Sequence, residues 1–291
     1  MNWEKLREEE FEPMLVRTNR VCAVPIGCLE KHGQHLPLGT DTLWGGKLLE
    51  LASKQEDICI FPQLYFGDLQ GMQRYSAGKG THYGYIALSA ELLLSLMREL
   101  CDEIGRNGFK KILLFNSHGG NSPFLQNFIR AVNDTQKDYE VFLYNVGLIH
   151  PRDILNAIKS EGRSYFPSIT DEDISVLQDF IETNKKTGHA CFAESALLMG
   201  MYPEMIRIDR CEIESGEDTH ICSPLTELGI RWGRAWQTDY PNAYEGAPPV
   251  GLTQQIADAA VKLAINKTVK VLRLLKDDNI MERILTANNI I

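Results

Sequence analysis

An α/β fold on a mainly parallel sheet is what this 291-residue sequence predicts, and three observations predict it. Strand-like apolar runs alternate along the chain with segments of helical apolar spacing, the pattern of βα repeats. Two of those runs, VCAVPI and KKILLF, lead directly into glycine-containing loops that carry histidine, the first of them with acidic residues as well. Hydrophobic residues make up 44% of the chain, enough for a packed core without disulfides.

Taken in order, Val21–Ile26 reads as a buried strand running into a loop. Residues 41–55 space Leu43, Leu48, Leu49 and Leu51 as a helix does. Residues 58–66 form the expected second strand. Residues 89–106 make a strong helix, with Ser89 as N-cap and Leu92, Leu93, Leu96, Leu100 and Ile104 on its apolar side. A third strand at 110–115, a helix at 123–133 and a strand at 139–146 follow. From 150 to 187 the pattern is less regular, with one expected helix at 173–183. This stretch is expected to be an inserted lid or oligomer contact on an otherwise single domain spanning 1–291. A helix at 190–201 and a long amphipathic helix at 252–275 complete the reading. Trp232 and Trp236, four residues apart, read first as a helix-face packing pair and second as a substrate platform.

With 30 basic and 39 acidic residues the formal net charge is -9, which argues against nucleic acid as a partner. No cluster of Lys or Arg reads as a membrane-surface helix, and no apolar run approaches the roughly 20 residues a spanning helix needs. The first ten residues are acidic and lack an apolar stretch, so no signal peptide is expected and the cytoplasm is the expected compartment. The seven cysteines are odd in number and contain no Cys-x-x-Cys pair, so they read as small buried hydrophobes.

Three stretches carry chemistry. The first, residues 27–41, follows a strand and so lies at the carboxyl end of the sheet, where open α/β folds place ligands. Gly33, Pro37 and Gly39 exclude a regular helix. Glu30, His32, His35 and Asp41 are groups that bind borderline divalent ions. In an extended loop Glu30 and His32 project to one side, and Asp41 begins a helix, where a carboxylate is favoured. His35 reads as a hydrogen-bonding support for the loop.

The second stretch is Asn116-Ser117-His118-Gly119-Gly120-Asn121, where two glycines let the backbone turn and leave His118 facing a crevice. The glycines could also present N–H groups to a substrate oxygen. The third is residues 188–196. His189 and Glu194 can reach one site only if a helix begins between them, near Ala190. A glutamate in so apolar a run is costly to bury unless paired or bound to metal. His82, His150 and His220 belong to no constellation.

In order and spacing these motifs resemble the creatininase family of metal-dependent amidohydrolases. The residues are Glu30-x-His32-Gly33-x-His35-Leu36-Pro37 with Asp41, then Ser117-His118-Gly119-Gly120-Asn121, then His189-Ala190 with Glu194. Gly67, Gly108-Phe109 and Gly246-x-Pro248 support the likeness. It implies a three-layer fold, a central mainly parallel sheet flanked by helices. It also implies two divalent ions, one held by Glu30 and His118 and the other by His32, with Asp41 bridging. Zinc is the first expectation, with manganese or iron as alternatives. Creatinine-hydrolysing members carry an acidic residue where this chain has Gly120, so Glu194 becomes the natural carboxylate for the second ion. The third motif departs at Cys191, Phe192 and Ala196, and residues 71–75 depart as well.

The implied reaction is cleavage of a carbon–nitrogen bond in a small or cyclic amide by a metal-bound hydroxide. Glu194 is placed at the catalytic centre, and His189 passes a proton to the leaving nitrogen. A small-molecule amide is the expected partner, and the family's habit implies a homo-oligomer, as a hexamer or otherwise. Two rivals are a catalytically inactive relative that binds metal or ligand, and a structural protein whose polar clusters are only loop networks.

Overall fold

The computed structural model describes residues 1–69, 83–135 and 137–287. Four strands, β1 (Val21–Ile26), β2 (Cys59–Ile60), β3 (Lys111–Asn116) and β4 (Glu140–Asn145), form one parallel sheet in the order β2-β1-β3-β4. The helices are α1 (Glu8–Arg17), α2 (Thr40–Ala52), α3 (Ala90–Arg106), α4 (Asn121–Asn133), α5 (Pro151–Glu161), α6 (Asp171–Glu182), α7 (Phe192–Met201), α8 (Ser223–Thr226), α9 (Ala235–Asp239), α10 (Gln254–Lys276) and α11 (Asp278–Ala287). The expected α/β class and parallel sheet are what the chain adopts.

Successive side chains of a strand point to opposite faces, and here both faces are covered. Val21, Ala23, Leu113 and Phe115 join a core with residues of α2, α5, α6, α7 and α10. Cys22, Val24, Ile26, Ile112 and Leu114 face the other way, into a core with residues of α1, α3 and α4. That is why β1 and the middle of β3, Ile112 to Phe115, read as unbroken apolar runs: every residue of both strands is buried.

The second strand is shorter than the expected 58–66. Ladder-like bonds persist from Phe61 N to Ala23 O (2.9 Å) and from Leu64 N to Pro25 O (3.0 Å). Pro25, whose carbonyl faces this segment, brings no N–H to it, so regular pairing stops at Ile60. In the 150–187 stretch the chain forms α5 and α6. Ile154, Leu177 and Phe180 from this stretch belong to the same core as α7 and α10. Ser89 caps α3 as expected, accepting from Leu92 N at 3.3 Å. The buried face, however, is Leu93, Met97, Cys101, Ile104 and Gly105, and Leu92 is 53% exposed. Tyr139 packs so close to Gly105 that a Cβ there would lie 2.2 Å from its ring. This contact sets the rotation of the helix. Among the described residues no helix is long and apolar enough to cross a membrane.

The topology determines where a site can form. From β1 the chain crosses to β2 on one side, while β3 lies on the other side of β1. The strand order therefore reverses between β1 and β3, and a crevice opens at their carboxyl ends.

Candidate metal centre

The loop after β1 and the loop after β3 enter that crevice side by side. The first carries Glu30 and His32 and ends in α2, whose first turn holds Asp41; the positive end of the helix favours that carboxylate. The second carries His118. α7 begins at Phe192, between His189 and Glu194, as the spacing of those two residues requires, and puts Glu194 in its first turn.

The five side chains expected as ligands converge, all of them buried. His118 Nδ1 lies 2.9 Å from Asp41 Oδ2 and 3.0 Å from Glu30 Oε1. His32 Nε2 lies 3.4 Å from the other Asp41 oxygen and 3.8 Å from Glu194 Oε1. Asp41 thus stands between the two imidazoles, one oxygen toward each.

Backbone carbonyls orient both rings. His118 Nε2 donates to Asp68 O at 3.0 Å, and His32 Nδ1 faces Glu30 O at 3.2 Å. A neutral imidazole has one N–H, so the remaining nitrogen of each ring points a lone pair at carboxylate oxygens. Lone pairs facing lone pairs in a buried space call for a cation. Glu30 Oε1 and His32 Nε2 are buried without a hydrogen-bond partner among the described residues, so the donor set fits a metal ion. Two groups of donors within 4.8 Å of one another, Cys28/Glu30/Asp41/His118 and His32/Asp41/Glu194, share Asp41; a third is Glu30/His32/His189.

With protons alone to balance the charge, the titration of the cluster is strongly displaced. Burial opposes a charged His32, yet the Asp41 and Glu194 carboxylates outweigh it and push its pKa up to about 9. Burial likewise opposes a charged His118, but Cys28, Glu30 and Asp41 raise it well above the ordinary imidazole value. Burial would raise Glu30, and His118 and His189 instead bring it down to about 2. Glu194 shows the reverse balance, pushed up to about 8 chiefly by burial.

His189 sits over His32, ring centroids 3.9 Å apart, and its Nε2 donates to Lys31 O at 2.7 Å. Its Nδ1 is left facing the cluster, 3.8 Å from Glu30 Oε1. Burial and the neighbouring His32 bring its pKa down to about 4. Between His189 and the helix, Ala190 adopts φ +58°, a left-handed conformation that non-glycine residues hold only where their surroundings enforce it. Here the Ala190 N–H donates to Glu194 Oε2 at 2.6 Å and its carbonyl accepts from His35 Nε2 at 3.0 Å. His35, 3.2 Å from Ser195 Oγ as well, therefore ties the first motif to the third.

Gly120 has a physical reason. A Cβ there would lie 2.5 Å from His118 Nε2 and 2.6 Å from Asp68 O, on the bond that orients His118. Gly119, one residue earlier, has nothing within 4 Å of the same position.

Sequence reasoning missed three features of the site: the Cys28 thiol, the Asn116–Asn121 pair and the contact of Trp236 with His189. Cys28, grouped with the inert cysteines, points its thiol at Asp41 Oδ2, 3.2 Å away. Asn116 and Asn121 pin the His118 loop: Asn116 Nδ2 donates to His118 O (2.9 Å) and Asn121 Nδ2 to Asn116 Oδ1 (3.0 Å), while Asn121 Oδ1 accepts from Asp68 N (2.7 Å). The strand-to-helix turn was the available signal for these. The third is Trp236. Trp232 is 49% exposed and precedes α9, so the two indoles form no pair on a helix face. The Trp236 ring instead meets His189 edge-on at 5.3 Å, and its Nε1 donates to Glu245 Oε2 at 2.7 Å. His150 caps α5 and His220 is exposed. His82 and residues 71–75 lie outside the described residues.

A cavity of about 610 Å³ opens onto the cluster. Trp44, Tyr85, Leu148, Trp236 and Tyr240 supply much of its wall, and Glu245 lies at its side.

Fold and site define a class: an α/β protein with a buried divalent-metal pocket at the switch point of its sheet, open to a small-molecule cavity. The chain belongs to the creatininase family of metal-dependent amidohydrolases, whose sequence model, described as creatinine amidohydrolase, matches residues 4–272. The creatinine amidohydrolase of Pseudomonas putida is 22% identical over 207 residues, covering 71% of this chain and 74% of that protein. Among solved structures, a mutant creatininase of Zn-Zn type superposes with a TM-score of 0.67 at 16% identity, covering 95% of this chain and 98% of that one. A mutant creatininase complexed with creatine gives a TM-score of 0.63 at 17% identity, with the same two coverages. These structural likenesses establish the fold.

Proposed function

We propose that this chain is an amidohydrolase that uses two divalent ions to cleave a carbon–nitrogen bond in a small or cyclic amide. The observation that carries the reading is that Glu30 Oε1 and His32 Nε2, both buried without a hydrogen-bond partner among the described residues, belong to two donor groups that share Asp41. In this reading Glu30, Asp41 and His118 would hold one ion, and His32, Asp41 and Glu194 would hold the other. Ions bound there would lower the pKa of water toward neutrality and polarise the substrate carbonyl. Mixed carboxylate and imidazole donors suit zinc first, and also manganese or iron.

The chain's own groups supply the rest. His189, neutral near pH 7 with Nδ1 facing the cluster, takes a proton there and delivers it to the departing nitrogen. Lys31 O holds the ring in that tautomer through Nε2. The largely aromatic and aliphatic cavity keeps bulk water from the amide and fixes its plane. Glu194 stands in for the acidic side chain that Gly120 has no room to carry. This favours an amide other than creatinine, although the relatives bear that substrate's name. A homo-oligomer belongs to the same proposal, and the exposed Ile213, Ile221, Leu228 and Trp232 suit a contact between copies.

The test is metal analysis of the purified chain together with a hydrolysis screen over creatinine, formamides and small lactams. About two equivalents of divalent metal and chelator-sensitive turnover of one amide are expected. Stoichiometric metal without turnover would favour the inactive relative. A protein that takes up no metal, with thermal stability indifferent to chelator, would sink the reading.

A further inference from the structure

The carboxylate–imidazole cluster has a sulfur atom at its edge. Cys28 is fully buried, and its Sγ lies 3.2 Å from Asp41 Oδ2. Sγ and one donor atom each from Glu30, Asp41 and His118 all lie within 4.8 Å of one another. Cys22, Cys59 and Cys101, by contrast, pack in the apolar core between the sheet and α3. A second observation is independent of the thiol: Glu30 Oε1 is buried without a hydrogen-bond partner among the described residues and lies 3.0 Å from His118 Nδ1 in the same donor group.

We propose that Cys28 is a fourth protein ligand of the ion held by Glu30, Asp41 and His118, giving that position one sulfur, one nitrogen and two oxygen donors. The inference rests on the two-ion reading and deepens it. Zinc bonds of about 2.3 Å to sulfur and about 2.0–2.2 Å to nitrogen or oxygen separate tetrahedral ligands by roughly 3.3–3.7 Å. The separations of 2.9, 3.0 and 3.2 Å in this cluster would widen by a few tenths, and its remaining donor pairs lie within 4.8 Å of one another. On binding, the S–H bond is exchanged for a sulfur–metal bond and the proton leaves to solvent.

Two consequences follow. A thiolate favours a borderline-soft ion such as zinc over manganese at this position. Four protein ligands also close the position, whereas His32, Asp41 and Glu194 leave theirs open, beside His189. The two ions would then have unequal duties, one shaping Asp41 and the other meeting substrate.

Affinity alone cannot decide the point, because losing a mere hydrogen-bond partner of a ligand also costs about 10–100-fold in metal binding. The deciding readout is spectroscopic. Metal-free protein saturated with Co²⁺ is expected to show an intense near-ultraviolet sulfur-to-cobalt charge-transfer band, absent in Cys28→Ser and retained in Cys211→Ser. Zinc X-ray absorption of the unmodified protein should show a sulfur neighbour at about 2.3 Å, a measurement that does not depend on the variant folding. Bound cobalt without the band, and bound zinc without the sulfur, would overturn the proposal and leave Cys28 as a thiol donor to Asp41. Absence of bound cobalt in equilibrium dialysis would overturn the metal centre itself, and so is told apart from failure of the sulfur ligand alone.

Discussion

The centre has two halves that are built differently. Glu30, His32 and His118 sit on loops that leave two adjacent, fully buried strands, so the sheet itself sets their separation. His189 and Glu194 sit on either side of a helix start that no strand supports. Their placement depends on the left-handed Ala190, whose N–H and C=O are held by Glu194 and His35. A sheet-anchored half is rigid before any ligand arrives. The helix-anchored half is a strained turn held by two hydrogen bonds, and reaction-specific duties can be concentrated there without loosening the metal ligands.

The sharpest way to break this comparison is to remove one histidine from each half. His118→Ala should abolish both stoichiometric metal and activity, because it deletes an imidazole that faces two carboxylates and leaves buried negative charge uncompensated. His189→Ala should lower turnover by about 10²–10⁴-fold, the usual contribution of a positioned acid–base group, while metal content stays that of the parent. Elemental analysis and initial rates on the same preparations decide it. Loss of metal from the second variant would make His189 a ligand, as its grouping with Glu30 and His32 allows, and the division of labour would fail.

Neighbouring glycines give a finer cut within the sheet-anchored half. Gly120→Ala drives a methyl into the His118–Asp68 bond and should weaken metal binding by about 10–100-fold, the cost of losing a partner that orients a ligand. Gly119→Ala meets nothing within 4 Å and should bind metal like the parent. Competition with a chromophoric chelator reads both. Equal affinities would mean that the Asp68 carbonyl does not hold His118 in place.

Much of the sheet-anchored half was legible because its chemistry and its topology coincide in one short stretch. Glu30, His32 and Asp41 follow a strand, and His118 follows another, so alternation and strand order suffice to bring them together. What stayed hidden depended on contacts between distant segments. Cys28 has the composition of a core cysteine, and only the approach of α2 brings Asp41 to its thiol. The buried face of α3 was misplaced because leucines occur on several of its sides, and the close packing of Tyr139 on Gly105 decides among them. The four-residue spacing of Trp232 and Trp236 imitated a helix face, but α9 begins only at Ala235. β2 stops early because Pro25 on the neighbouring strand lacks the N–H that a regular ladder needs.

Under metal-free conditions acidity acts on both halves in the same direction near neutral pH. The folded pKa of His32 is raised from 6.5 to about 9 and that of Glu194 from 4.5 to about 8. In both cases the folded state binds protons more tightly than the unfolded chain, so stability is fully present at low pH and lost as pH rises. His189, lowered to about 4, acts the other way, but only below 6.5. The chelated protein should therefore lose thermal stability between pH 6.5 and 9. At about 1.4 kcal/mol per unit, the share of His32 alone is at most about 3–4 kcal/mol. Added metal takes the place of those protons and should flatten the slope. A chelated protein whose melting temperature rises across the same window would contradict the charge balance assigned to the cluster.

The smallest effect is expected at the outer edge of the helix-anchored half. Trp236→Phe keeps an aromatic ring against His189 but removes the indole N–H that holds Glu245 at 2.7 Å. One neutral-donor bond to a carboxylate is worth about 1.5–3 kcal/mol when buried, and less here, where Glu245 is partly exposed. Among the described residues this pair makes no hydrogen bond to a proposed metal ligand, so metal content should not change. If the wall only seats the substrate, KM should rise a few-fold while kcat holds, since equal losses in ground and transition states leave kcat alone. A fall in kcat at unchanged KM would mean instead that the indole steadies His189 during proton transfer. The helix-anchored half would then extend outward from the strained turn to the cavity wall.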